Sequence, residues 1–161
     1  MIYKLFVFDL DETIWTLSEG LVSLIQPPYR LVNANRLETD EGYYVELKSG
    51  VRPLFDFLKK NNRYISIASR NDPDPTMALL EAFRLADLVD FPQLCWRPKD
   101  ESIEAIIRAI QKRDKVAIKP NEVLFVDDWP ENINPVRKWG ATALLFGQDV
   151  ISHDEILKIL K

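Results

Sequence analysis

The chain is poor in the residues that cross-link or anchor a protein. Its single cysteine, Cys95, excludes an internal disulfide framework and fits a reducing compartment. No apolar run approaches the length needed to cross a bilayer. The apolar start at Leu5 meets Asp9 too soon to form the h-region of a signal peptide. A basic excess is missing as well. Lys and Arg number 21 against 25 Asp and Glu, and a net charge of −4 argues against a general nucleic-acid binder. The lone histidine, His153, stands near a helix start and suggests no chemistry. Only five glycines stand against ten prolines, which leans toward a heat-tolerant chain. What remains is ordinary: 161 residues, 47% hydrophobic and 29% charged, enough for one cored domain over 1–161. The expected setting is cytoplasmic, with no membrane and no obligate protein partner.

Strand and helix patterns alternate along the chain, with one interruption. Lys4 to Leu10 reads as a first strand, Tyr64 to Ala68 as a second, Phe91 to Trp96 as a short third. Val123 to Val126 and Thr142 to Phe146 supply a fourth and fifth. Between them, Arg52-Pro53 opens one helix, and a second near Pro75 turns Met77, Leu80 and Phe83 inward. Ile103, Ile106, Ile107 and Ile110 repeat at helical spacing as a core stripe. Pro135 opens a fourth helix ending at Gly140, and Ser152 with Glu155 looks like a capping box for a fifth. The stretch 14–50 loses helical period. Its segments Tyr29 to Leu37 and Tyr43 to Lys48, around Thr39-Asp40-Glu41-Gly42, read as a hairpin flap in which Tyr43 and Tyr44 face opposite sides. Such alternation implies an α/β fold with a parallel sheet and right-handed crossovers. Cys95 is expected to be a buried small hydrophobe.

The polar residues that break the pattern fall just after strands: Asp9 and Asp11 after the first, Ser69 and Arg70 after the second, Asp127 and Asp128 after the fourth. Chemistry in open α/β sheets gathers beyond the carboxyl ends of strands. Two acids placed there together need a cation or a shared proton to relieve them, so Asp9 and Asp11 point to metal binding, proton transfer or both.

Asp9-Leu10-Asp11-Glu12-Thr13 resembles the DxDxT signature of the haloacid dehalogenase-like phosphotransferases. Ser69, Lys99 and Asp127-Asp128 match that superfamily's companion motifs in order. Within it the chain resembles the small magnesium-dependent phosphatases, through Asp9 to Trp15, Pro27-Pro28, Ala68-Ser69-Arg70, and Phe125 to Asp128 followed by Asn132. The likeness covers roughly 4–149. It implies a doubly wound, Rossmann-like sheet of about five strands in the order 3-2-1-4-5, with a small flap and no large cap domain.

The resemblance also implies a division of labour. Asp9 attacks phosphorus to form an aspartyl-phosphate, and Asp11 protonates the leaving oxygen before deprotonating water. Mg²⁺ sits between Asp9, Asp127 and the carbonyl of Asp11. Lys99, Ser69, Leu10 and backbone N–H groups hold the phosphoryl oxygens, with Arg70 on the substrate side. Asp128 and Thr13 stand one layer behind. The rim candidates are Trp15, Arg70, Trp129 and the flap around Tyr43. The substrate is then a phosphomonoester, of the sugar-phosphate or phosphotyrosine-like kind. Asp9 to Ile14 is also similar to carboxy-terminal-domain phosphatases, which keeps a phosphoserine protein as an alternative. A phosphoacceptor signalling or binding module without turnover is the other class. Receiver-type modules place the acceptor Asp after a middle strand and a lysine after the last, and neither fits Cys95-Trp96 or Phe146.

Overall fold

The computed structural model covers residues 1–161. In chain order it contains β1 (Leu5–Phe8), β2 (Trp15–Leu17), β3 (Arg30–Asn33), β4 (Arg36–Glu38), β5 (Tyr44–Leu47) and α1 (Val51–Lys60). There follow β6 (Tyr64–Ser69), α2 (Pro73–Ala82), β7 (Gln93–Leu94), α3 (Lys99–Asp114) and β8 (Val123–Asp127), then α4 (Pro130–Trp139), β9 (Thr142–Leu145) and α5 (His153–Leu160). The main sheet runs β7-β6-β1-β8-β9 with parallel pairing throughout, which is the order 3-2-1-4-5 expected.

The central strands are buried on both faces, and alternation sorts their side chains into two cores. Phe6 and Phe8 of β1, Ile65 and Ile67 of β6, and Leu124 and Val126 of β8 face one side, against Leu54, Phe55 and Leu58 of α1, Leu79 and Leu80 of α2, and Ile156 of α5. Leu5 and Val7, with Val123 and Phe125, face the other side, against Ile103, Ile106 and Ile110 of α3 and Ile133 and Val136 of α4. Each fully buried Phe or Leu contributes about 1.5–3 kcal/mol by leaving water. The isoleucine stripe is core, apart from Ile107, which is half-buried.

Register then sets the functional edge. Phe8 pairs with Ile67 on one side and Val126 on the other. One step further, Asp9 continues the ladder by donating its N–H to the Val126 carbonyl at 2.9 Å. Asp9, Ala68-Ser69 and Asp127 therefore end three neighbouring strands at one level.

The flap is larger than a single hairpin. It is a four-stranded antiparallel sheet in the order β2-β5-β4-β3. The segment expected to run from Tyr29 to Leu37 folds back on itself, because the Asn33 Oδ1 captures the Asn35 N–H at 2.8 Å and forms an Asx turn. The turn at Thr39 to Gly42 is where it was expected. The flap sheet is not a loose appendage, since Leu17, Leu37, Val45 and Leu47 join the larger core. Arg52 of α1 also donates to the carbonyls of Ala34 and Phe83, tying the β3–β4 turn to the body.

Smaller expectations need correction. Tyr43 and Tyr44 are both half-buried rather than split between core and solvent. The Arg36 guanidinium covers the Tyr44 ring at 3.9 Å, while Tyr43 packs on the main core. Cys95 is only partly buried, because its edge strand shrinks to Gln93–Leu94. α4 opens at Pro130, not Pro135. Pro130 occupies the first turn, where no N–H is needed, and Pro135 lies inside the helix at the loss of one hydrogen bond. Gly140 does end α4 in the left-handed region, at φ 108°. Ser152 caps α5 through the Glu155 N–H, but Glu155 reaches back to the Ile151 N–H instead of closing the box. Gly50, at φ 82°, is obligatory, since a Cβ there would meet the Asp154 backbone nitrogen at 2.5 Å.

His153 is fully buried between Phe8 and Phe146, and neither ring nitrogen has a hydrogen-bond partner. Burial pushes its pKa down to about 4 from 6.5, with the Ser49 backbone and Asp154 opposing. The unfolded chain therefore takes up this proton first. The stability that goes with neutral His153 is intact above pH 6.5 and is lost as pH falls toward 4, on the order of 3 kcal/mol in all. Urea unfolding of the wild type and His153→Leu between pH 7.5 and 4 should show the variant losing less stability on acidification. Parallel pH profiles would show that His153 does not titrate this way.

Candidate active site

The carboxyl ends of β1, β6 and β8 open into a cleft of about 280 Å³, lined by Asp9, Asp11, Glu12, Ser69, Arg70, Asn71, Lys99, Asp127, Asp128, Trp129 and Asn132. Parallel strands with both faces covered can place polar side chains without burying them in the core only at such an edge. The sequence candidates converge there from four separate segments.

Lys99 occupies the centre. It begins α3 right after Pro98 and is 4% exposed, deep enough that it must be paired. Its Nζ donates to Asp9 Oδ1 at 2.8 Å and to the Ala68 carbonyl, and lies 3.4 Å from Asp127 Oδ2. Asp127 is fully buried. Its Oδ1 accepts the Trp129 N–H at 2.8 Å and its Oδ2 accepts from Asn132 Nδ2 at 3.0 Å, so one carboxylate both turns the chain into α4 and faces the cleft.

Asp9, Asp127 and Asp128 each offer a carboxylate oxygen within 4.8 Å of the other two. Crowding and burial disturb all three. Burial raises Asp9, against the pull of Lys99. Burial and then the charge of Asp9 push Asp127 up to about 6. Burial and the charge of Asp127 raise Asp128, whose Oδ1 accepts from Thr13 Oγ1 at 3.4 Å. Three acids against one lysine leave a negative excess that a hard divalent cation would relieve. The donors are all oxygen, as such an ion prefers.

The Asp11 side chain stands apart from that cluster. Its Oδ1 accepts from Trp15 Nε1 at 2.8 Å and from Asn71 Nδ2 at 3.0 Å. The same oxygen takes both donors, which leaves Oδ2 as the oxygen able to carry a proton. Asn71 was not singled out from the sequence. Its signal was its place two residues after Ser69, where Ser69 Oγ accepts the Asn71 N–H at 3.2 Å and fixes the loop. Ser69 itself is buried at the cleft wall. The Leu10 side chain is buried, and the N–H groups of Leu10 and Asp11 donate to no acceptor in the protein, free for an anion.

The rim candidates separate. Trp15 is sealed in the core against Phe83 and acts on the site only through its N–H. Trp129 is 57% exposed and lines the cleft. Arg70 is exposed, with Nη2 3.4 Å from Asn132 Oδ1. Tyr43 does not line the cleft. Glu12 does, and pairs with Lys48 of the flap at 2.9 Å.

A family model described as Acid Phosphatase matches residues 1–160. No curated protein matches the chain in sequence. Among solved structures, a HAD-superfamily hydrolase from Ehrlichia chaffeensis superposes with a TM-score of 0.70 at 15% identity, over 98% of this chain and 96% of that one. A protein described as a predicted phosphoglycolate phosphatase from Haemophilus somnus gives 0.69 at 14%, over 100% and 99%. The N-terminal part of a Bacteroides fragilis protein, containing a phosphatase domain complexed with Mg, gives 0.65 at 22%, over 99% and 40%. These likenesses are of fold.

Removing the lysine tests the electrostatic arrangement directly. Lys99→Met leaves Asp9 and Asp127 buried without their counter-charge, which should cost about 3–5 kcal/mol at pH 7.5 in chelator. The deficit relative to wild type should shrink at pH 5, where the raised carboxylates take up protons. Denaturant titration at the two pH values checks this; an equal deficit at both would point to lost packing alone.

Proposed function

Since the chain belongs to the acid phosphatase family, we propose that it hydrolyses phosphate monoesters through an aspartyl-phosphate on Asp9, with Mg²⁺ as cofactor. The observation that carries this reading is the cluster of Asp9, Asp127 and Asp128 at the end of adjacent strands, with one buried lysine paired to the first two. The all-oxygen donor set fits Mg²⁺, which Asp9, Asp127 and the Asp11 carbonyl would hold with Asp128 alongside. When bound, the ion neutralises charge on the phosphoryl group as the anionic nucleophile approaches.

The residues themselves do the rest. Lys99 donates to Asp9 Oδ1, which orients the carboxylate and opposes the upward push of burial on its pKa. The carboxylate attacks phosphorus, and the bond to the leaving oxygen breaks. Asp11, its Oδ1 fixed by Trp15 and Asn71, delivers a proton from Oδ2 to that oxygen. It then takes a proton from the water that splits the aspartyl-phosphate, returning Asp9 and releasing phosphate. Lys99, the Ser69 hydroxyl and the free N–H groups of Leu10 and Asp11 hold the equatorial oxygens as charge spreads over them. Asn132 fixes Asp127, and Thr13 steadies Asp128. The domain is one unit with the 14–50 sheet as an insertion, and its substrates are monoesters of the sugar-phosphate or phosphotyrosine-like kind.

Asp9→Asn keeps the shape of the side chain but removes the attacking charge, so turnover of 4-nitrophenyl phosphate should fall by about a thousandfold or more. In the same assay a chelator should abolish wild-type turnover, with Mg²⁺ restoring it better than Ca²⁺. Near-normal hydrolysis by Asp9→Asn would eliminate the covalent route.

Asp11→Asn cannot donate a proton. Single-turnover measurements should show a larger loss for alkyl phosphates, whose leaving oxygen needs protonation, than for 4-nitrophenyl phosphate. An equal loss for both leaving groups would remove Asp11 from the acid role.

A further inference from the structure

A second cavity of about 350 Å³ adjoins the cleft, lined by Arg70, Trp96, Arg97 and Pro98. Arg70 lines both cavities. We propose that this second cavity is a leaving-group subsite for phosphomonoesters that carry a second anionic group on a flat or apolar body. The proposal rests on the phosphatase reading above and narrows its substrate class.

Chain connectivity fixes the subsite beside the phosphoryl position. Arg70 follows Ser69, and Trp96-Arg97-Pro98 leads directly into Lys99, so both walls are extensions of the segments that bring the phosphate-holding side chains. Three residues span at most about 11 Å, so an ester held at Lys99 reaches Trp96 with a leaving group of ordinary size. Trp96 is 85% exposed, the most exposed large hydrophobic side chain of the protein, although an indole gains much by burial. The Arg70 guanidinium carbon lies 5.5 Å from the Trp96 ring centroid, within cation–π range, and holds the ring at the border of the cleft. The exposed ring is a surface on which a flat or apolar body can stack.

Charge decides what else that body carries. The catalytic cleft is lined by five acidic side chains, whereas the second cavity has two arginines and no acid. A leaving group with a carboxylate or second phosphate is repelled by the first and drawn to the second. Arg97 is half-buried and makes no ion pair or side-chain hydrogen bond within the protein, so its guanidinium is free to fork onto such an anion. Arg70 is engaged only at 3.4 Å by Asn132 and by the Trp96 ring, and can share the load.

The test compares phenyl phosphate with 4-carboxyphenyl phosphate, which adds a second anion at the far edge of the ring with a small change in leaving-group acidity, with Mg²⁺ at pH 7. The wild type should favour the carboxylate by about tenfold in kcat/KM, mostly through KM. Arg97→Ala should bring that ratio to about one. Arg97→Glu should invert it in favour of 4-(aminomethyl)phenyl phosphate, a response that a merely structural role would not give. Trp96→Ala should raise KM for the aryl esters more than for glycerol phosphate. Hydrolysis of both esters without preference, or a preference untouched in Arg97→Ala and Arg97→Glu, overturns the subsite and leaves the phosphatase reading standing. No hydrolysis of any ester overturns that reading, and the subsite with it.

Discussion

Two carboxylates held by one buried lysine, with a third crowded beside them, form the constraint on which the rest of this molecule depends. Asp9 and Asp127 could not stand so close, with Asp128 beside them, if Lys99 were not paired with both. Lys99 in turn could not be buried without those acceptors and the Ala68 carbonyl. The arrangement is expensive, and a charge imbalance remains after it is made. Such a cluster is a prepared electrostatic field at the open end of the sheet.

The scaffold delivers that field through rigidity. β1, β6 and β8 are buried on both faces, so their ends are fixed by two packed cores rather than by loops. Asp127 is held by the Trp129 N–H, by Asn132 and by Lys99, three contacts from three directions. Asp11 is held by Trp15, whose ring is locked in the core against Phe83. Packing far from the cleft therefore sets the aim of its acids. The flap sheet shares the larger core, and the Glu12–Lys48 pair links it to the loop that carries Asp9 and Asp11. Charge is divided across the site, with the carboxylate cluster in the cleft and a cationic, aromatic ledge next to it, Arg70 lining both.

Much of this was legible in the linear chain. The apolar run into Asp9 and Asp11, Ser69 after the second strand, Lys99 after Pro98, and Asp127-Asp128 after the fourth each mark a strand end or helix start. Local signals of that kind are strong because a fully buried strand must be apolar and any polar interruption must lie beyond it. Strand order followed from the resemblance, and the sheet has that order. The errors came where local rules compete. Pro130 and Pro135 both suit a first helical turn, and the helix starts at Pro130, just after the Trp129 N–H held by Asp127. Asn33-Ala34-Asn35 offered a turn, but the β-forming residues around it concealed it.

The sequence by itself determined the fold class, the sheet's polarity and the identity of the acids at its edge, because hydrophobic periodicity and strand-end chemistry are properties of neighbouring residues. Only the tertiary structure decided which groups act together. Asn71 and Trp15 meet on one oxygen of Asp11, 60 and 4 residues away in the chain. Asp128 joins Asp9 and Asp127, Trp15 turns inward while Trp96 and Trp129 stay exposed, and His153 is sealed between two phenylalanines. These are outcomes of three-dimensional packing, where burial and partner choice depend on segments distant in sequence, and no local pattern encodes them.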